Sequence, residues 1–259
     1  MLLTIDMGNT NLTLGLYQEG VLGPRWRLAT DHERMPDEYG LQILGLLEHV
    51  QVPPAQLDGV ILSSVVPPLT GRITSACRQY LNQEPLVVSA GLDTGITIGY
   101  EDPSAVGADR IADAVAVHTL YDGPACVIDF GTATTFNAVT AEGEYLGGAI
   151  TAGVGLAANA LFQRTAKLPS VELAAPPSVI GRNTVHALQA GLIFGYVSMV
   201  EGMTARFRAI LGEKMKVVAT GGLAEIIARE TPVINIIAPW LTLDGLRILW
   251  ERNHKLSSS

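Results

Sequence analysis

The chain has 259 residues, 48% of them apolar and 16% charged, with 27 Gly and 14 Pro. This length fits one large or two small domains, and the composition excludes disordered and low-complexity classes. Seventeen basic against 25 acidic side chains leave a net charge of −8, which speaks against a broad grip on nucleic acid or an anionic membrane surface, so an anionic ligand must be held locally.

The opening segment LLTIDMGNTNLTLGLY (Leu2 to Tyr17) reads as a β-hairpin: an apolar run, a polar turn at Gly8 and Asn9, then alternation through Leu12, Leu14 and Leu16. A helix is predicted around Pro36 to Val50 and a strand at Gly59 to Val65, ending in Pro67 and Pro68. A helix near Leu69 to Leu81, a strand at Pro85 to Val88 and a helix at Ala105 to Tyr121 follow. Gly and Pro punctuate Asp122 to Pro124, where a boundary between residues 1–122 and 123–259 is expected.

The segment ACVIDFGTATTFNAV (Ala125 to Val139) repeats the opening hairpin, with Asp129 aligned on Asp6 and Gly131 on Gly8, an offset of 129 − 6 = 123 residues. An offset near half the chain length points to a duplicated domain. Helices are then predicted at Gly153 to Arg164 and from about Thr184 to Leu211. A strand at Lys216 to Thr220, a short helix from Gly222 and a final helix near Leu243 complete the pattern. Strands separated by helices pair in parallel through crossovers, so the fold class is α/β. Asn183 and Thr184 carry side chains able to cap the long helix.

No apolar run reaches the roughly 18 to 20 residues that span a bilayer, and no basic segment precedes Leu2 as in a signal peptide. A cytoplasmic protein without membrane or nucleic-acid partners is expected. Cys77 and Cys126 form no disulfide framework, and the five histidines show no zinc-site spacing, so both sets are read as chemically silent.

Four constellations could carry chemistry. The turns Asp6 to Asn11 and Asp129 to Thr135 each combine a carboxylate, a glycine and hydroxyl or amide side chains. Turn N–H groups and such side chains donate to phosphate oxygens, whereas the aspartate must act through a cation or orient a water. One Asp-x-Gly turn is common in ordinary hairpins; two at a half-chain offset could grip a nucleotide triphosphate from two sides. ATGGLAEII (Ala219 to Ile227) is either a surface for an adenosine or an ordinary strand-to-helix turn. In GADRIADAVAVHTLY (Gly107 to Tyr121), Asp109 complements the helix dipole or serves as a general base. Arg110 is disfavoured at a helix N-terminus and so points to a ligand with negative charge.

On these residues the chain resembles the type III pantothenate kinases of the acetate and sugar kinase, Hsp70 and actin superfamily. The resemblance runs nearly end to end through DMGNTN at Asp6, SSVVPPL at Ser63, GADR at Gly107, IDFGTATTFN at Ile128 and GGAI at Gly147. It continues through TAKLP at Thr165, GRNT at Gly181, ATGGLA at Ala219 and LTLDGL at Leu241. It implies two duplicated ribonuclease-H-like (actin-like ATPase) domains with a nucleotide cleft between them, and transfer of the ATP γ-phosphoryl to pantothenate, the first step of coenzyme A synthesis. The loop Asp6, Met7, Gly8, Asn9, Thr10, Asn11, Leu12 and Thr13 would bind ATP phosphates, with Asp6 near Mg²⁺ and Thr132 contacting the nucleotide. Asp129 would bind a monovalent cation, K⁺ or NH₄⁺. Asp109 would act as the base, and Tyr100, Gly107, Ala108, Arg110 and Thr184 would hold pantothenate together with it. The resemblance also implies a homodimer.

The helix from Thr184, with Ile193, Phe194, Tyr196, Val197 and Val200, is either that dimer's interface or buried within one subunit, because an apolar stripe does not name its partner. Ala152 stands where the family usually has proline, with Gly153 retained, which puts the local loop geometry in doubt. Neither phosphate turn contains Lys or Arg, so N–H groups, hydroxyls and cations must neutralise ATP. A regulatory protein on the same fold, or another small-molecule kinase of the superfamily, is the rival expectation.

Overall fold

The apolar and alternating residues of Leu2 to Gln18 fold as the expected hairpin in a computed structural model, which describes residues 1–256. Strand β1 (Leu2–Met7) pairs antiparallel with β2 (Asn11–Gln18), and β2 with β3 (Val21–Ala29). On its other side β1 runs parallel to β4 (Gly59–Ser64), and β4 to β5 (Leu86–Val87), giving the order β3-β2-β1-β4-β5. Parallel pairing needs a crossover, and α1 (Pro36–His49) lies in the connection to β4. Helix α2 (Pro67–Ala76) follows β4. Tyr39 and Ile43 of α1 and Leu69 and Ile73 of α2 share one core with Leu3, Ile5, Leu14 and Leu62 of the sheet.

Helix α2 starts at Pro67, not Leu69, because the first turn of a helix has no use for the N–H that proline lacks. It ends at Ala76 and gives way to a π turn, which stops at Asn82 in a left-handed conformation. The short strand β6 (Thr97–Ile98) and a 3-10 turn (Pro103–Ala105) lead into α3 (Ala108–Leu120).

Five neighbouring strands of the second sheet repeat the order of the first. Strand β7 (Ala125–Phe130) pairs antiparallel with β8 (Ala133–Val139), and β8 with β9 (Glu144–Ala152). On the other side β7 is parallel to β10 (Lys216–Gly221), and β10 to β11 (Ile236–Ile237). The run β9-β8-β7-β10-β11 is therefore the order β3-β2-β1-β4-β5 again, which is the duplication in three dimensions. Helices α4 (Val154–Arg164), α5 (Thr184–Leu211) and α6 (Ala224–Ala228) belong to this half. Ile193, Val197 and Val200 of α5 pack with Cys126, Ile128, Phe136 and Val217.

The division of the chain differs from the expected one. Met1–Ala116 and the helix α7 (Leu241–Leu256) form one compact unit, and Val117–Trp240 the other. The break falls within α3 instead of near Asp122, and the C-terminal helix returns to the first half. It does so because Leu243, Leu246 and Leu249 are buried where α7 lies against β1, β2 and β4, and because Tyr17 Oη donates to Asp244 Oδ1 at 2.7 Å. Burial and the hydrogen bond to Asp244 push the Tyr17 phenol far above its ordinary range.

Candidate active site

Asp6 is the last residue but one of β1, and its register neighbours are Thr13 on β2 and Ser63 on β4. Strand alternation sets Asp6 on the face opposite Ile5 and Met7. Ser63 is fully buried, and its hydroxyl has no hydrogen-bond partner among the described residues. The turn beyond Asp6 is pinned from three directions. Gly8 N–H donates to the Asn11 carbonyl at 2.9 Å, Thr30 Oγ1 to the Gly8 carbonyl at 2.6 Å, and Thr30 N–H to the Thr10 carbonyl at 2.9 Å. Asn9, Thr10 and Asn11 are exposed, whereas Met7 and Leu12 are sunk in the core, so only their backbone is left to meet a ligand.

The start of α3 joins this turn through Val65. Val65 N–H donates to the Met7 carbonyl at 3.1 Å, and its Cγ1 lies 3.5 Å from where a Cβ on Gly107 would stand. That same Cβ would stand 2.5 Å from Asp109 Oδ1, so Gly107 makes room for the Asp109 carboxylate to fold back over the helix end. There Oδ1 accepts the Arg110 N–H at 2.8 Å, one of the orphan donors of a first turn. Burial raises the pKa of Asp109 above the ordinary carboxylate range, against the lowering effect of that N–H and of the Arg110 charge. Ala108 and Arg110 are buried.

In the second unit Asp129 occupies on β7 the place Asp6 has on β1. Its register neighbours are Thr135 on β8 and Thr220 on β10, so each aspartate is flanked by a hydroxyl residue on both sides. Gly221 has φ +88°, and a Cβ there would stand 2.5 Å from Asp129 Oδ1 and 2.7 Å from the Phe130 backbone. Gly221 of ATGGLA thus lets β10 lie against β7 beside the carboxylate. Thr132 is exposed in the turn, and its carbonyl accepts the Gly153 N–H at 3.0 Å. Ala152 completes β9, and its carbonyl accepts Tyr196 Oη at 2.7 Å, so the loop is held without the usual proline.

The family model for type III pantothenate kinase matches residues 2–206. The chain belongs to the type III pantothenate kinases. It is 50% identical over 253 residues to a type III pantothenate kinase of Roseiflexus sp. (strain RS-1), covering 98% of this chain and 99% of that one. It is 51% identical over 253 residues to one from Moorella thermoacetica, covering 98% and 100%. Among solved structures it is similar to a Campylobacter jejuni protein assigned to the Baf family of transcriptional activators. That likeness has a TM-score of 0.60 at 21% identity, over 98% of this chain and 99% of that chain, and it bears on fold alone.

Two further residues singled out by the resemblance to the pantothenate kinases stand at other elements of their units. Tyr100 stands between β6 and the 3-10 turn, 37% exposed. Thr184 opens α5 and is exposed, and the cap is Asn183, whose Oδ1 accepts the His186 N–H at 2.9 Å. On α5, Ile193, Val197 and Val200 are buried in their own unit's core, with Phe194 and Tyr196 packed against it. The two cysteines are buried and free, and burial pushes each thiol up to about 12.

Two cavities, about 460 Å³ beside Leu92 to Ile98 and about 310 Å³ between Glu201, Arg208 and Glu213, contain none of the expected residues. Sequence reasoning missed Val65 as the joint between the turn and α3, and Ser63 and Thr220 as the residues that the parallel strands set beside the two aspartates. SSVVPPL and ATGGLA were visible as motifs, but only strand register shows which of their residues stands beside a carboxylate.

Proposed function

We propose that the chain is an ATP-dependent pantothenate kinase that phosphorylates the terminal hydroxyl of pantothenate to give 4′-phosphopantothenate. The observation that carries this reading is the placement of the Asp109 carboxylate, folded over the start of α3 and linked through Val65 to the Asp6 turn. Phosphoryl transfer depends mainly on positioning and charge neutralisation, so a base close to a phosphate-binding turn is the needed arrangement.

In this reading the Asp6 to Thr13 turn holds ATP phosphates through backbone N–H groups and the side chains of Asn9, Thr10 and Asn11, while Thr132 contacts the nucleotide. Asp109 takes the proton from the attacking hydroxyl as the bond to phosphorus forms. Arg110 meets the pantothenate carboxylate, with Tyr100, Gly107, Ala108 and Thr184 completing the substrate contacts. The Asp6 carboxylate, with the hydroxyl residues Thr13 and Ser63 beside it, suits Mg²⁺, a hard cation that takes one or two carboxylates plus substrate phosphates. Asp129, between the hydroxyl residues Thr135 and Thr220, offers a second carboxylate with oxygen-bearing neighbours, which we assign to K⁺ or NH₄⁺. Bound cations supply neutralisation of phosphoryl charge.

We also infer a cytoplasmic homodimer; among the described residues no helix is long and apolar enough to cross a membrane. Ile193, Val197 and Val200 of α5 are spent on their own core, which leaves the dimer to the helix's partly buried and exposed residues or to other elements, and light scattering reads the mass directly. The deciding assay supplies ATP, Mg²⁺ and pantothenate with and without K⁺ or NH₄⁺. Formation of 4′-phosphopantothenate that depends on the monovalent cation is expected, and no product with any monovalent cation overturns the reading.

A further inference from the structure

Asp113 is 2% exposed and has had no part in the site so far. It stands three residues past Arg110 and four past Asp109 on α3. At 100° per residue this places it one turn on, at an angle between the two. Arg110 is itself only 8% exposed. The i,i+3 spacing sets Asp113 and Arg110 next to each other on the surface of α3, where opposite charges attract, and Arg110 also acts on the carboxylate of Asp109.

Asp113 is held from outside α3. Its Oδ1 accepts Thr242 Oγ1 at 2.8 Å, from the first turn of α7. Three residues on, Gly245 lies so close to the Ala112 backbone that any Cβ would overlap the Ala112 carbonyl. Helix α7 is in turn fixed to the sheet by Tyr17 and Asp244 and by its buried leucines. A continuous set of contacts thus runs from the sheet through α7 to Asp113.

We infer that Asp113 is a positioning residue for the substrate end of α3, a fixed counter-charge that orients the Arg110 guanidinium and is itself held by Thr242 of the C-terminal helix. The inference deepens the activity reading and rests on Arg110 meeting the carboxylate of the phosphoryl acceptor. If Asp113 served only stability, its replacement would lower the unfolding temperature and leave the two substrates' kinetics changed alike or not at all.

The test compares wild type with Asp113→Asn, Thr242→Val and Thr242→Ser, varying each substrate in turn and following thermal unfolding. Asp113→Asn is expected to raise the pantothenate KM about 10-fold, the scale of one hydrogen bond to a charged group, while the ATP KM stays within about twofold. Thr242→Val should shift the pantothenate KM in the same direction, and Thr242→Ser, which keeps the hydroxyl, should restore it. An unchanged pantothenate KM, an equal rise for both substrates, or a serine variant that behaves like the valine variant would overturn the inference. If Asp113→Asn does not fold, the Thr242 pair decides. A readout independent of turnover is the Arg110 Nε–Hε NMR signal. It should be slow to exchange in wild type and Thr242→Ser and averaged in Thr242→Val; equal exchange in all three overturns the inference. Wild-type inactivity toward pantothenate refutes the activity reading instead.

Discussion

Replacing Asp109 by Asn separates catalysis from folding at one atom. The Asn carbonyl oxygen can accept the same Arg110 N–H that Asp109 Oδ1 now accepts at 2.8 Å, so the first turn of α3 keeps its partner. What is lost is the base, which contributes about 10² to 10⁴-fold, or about 3 to 5 kcal/mol of barrier. Stability should move the other way. Because burial raises the Asp109 pKa, the native state holds more protons than the unfolded chain from about pH 4 upward to that raised value. Stability therefore falls as pH rises through this window and stays reduced above it. Asn has no such penalty, so the variant should be at least as stable as wild type at neutral pH. Steady-state kinetics with both substrates saturating, together with urea unfolding across pH 4 to 8, checks both limbs. Undiminished kcat removes Asp109 from the base role, and a loss of kcat matched by a loss of stability shows that the residue was structural.

The remaining predictions concern its neighbours. The acid limb of kcat/KM should lie above the ordinary carboxylate range of about 4, and Arg110→Ala should move it higher, since the Arg110 charge holds the Asp109 pKa down; a pH profile of both proteins shows whether it does. The same variant should raise the pantothenate KM and leave the ATP KM unchanged. Gly107→Ala places a methyl 2.5 Å from Asp109 Oδ1, which must displace the carboxylate. A misplacement of about 1 Å costs on the order of 10²-fold in kcat, so near-normal turnover would contradict the proposed pose. Gly221→Ala, at φ +88° with Asp129 and Phe130 in the way, should destabilise the second unit by more than about 1 kcal/mol, read as a lower Tm.

How much of this was legible in the sequence varied with the physics involved. Both aspartate hairpins were, because β1 and β7 are apolar runs ending in a polar turn and their repeat is internal. Strand β3 was missed because it is a sheet edge: Pro24, Arg25 and Arg27 sit where no second partner demands an N–H or an apolar side chain. Strand β9 was missed because Gly147 and Gly148 interrupt its apolar run. The membership of α7 was illegible in principle. Its buried leucines announce an amphipathic helix, but a stripe specifies no partner, and neither Tyr17 with Asp244 nor Thr242 with Asp113 lies within 100 residues in the chain.

Duplication and departure from it divide the candidate machinery between them. Asp6 and Asp129 share strand position, register and hydroxyl neighbours, which is what a repeated phosphate and cation turn requires and which leaves no cationic side chain in either turn. Asp109 and Arg110 sit outside that repeat, on α3, and the helix that braces them, α7, lies at the far end of the chain. In the proposed reading the turns serve phosphate whatever the acceptor, whereas the half-buried Asp109 carboxylate beside the buried Arg110 guanidinium selects an acceptor with a hydroxyl and an anion at a fixed separation. In that reading, acceptor choice therefore rests on α3 and its brace. Substitutions at Asp109, Arg110, Asp113 or Thr242 should change which hydroxyl compound is phosphorylated, and substitutions in either turn should change how well ATP is used whatever the acceptor.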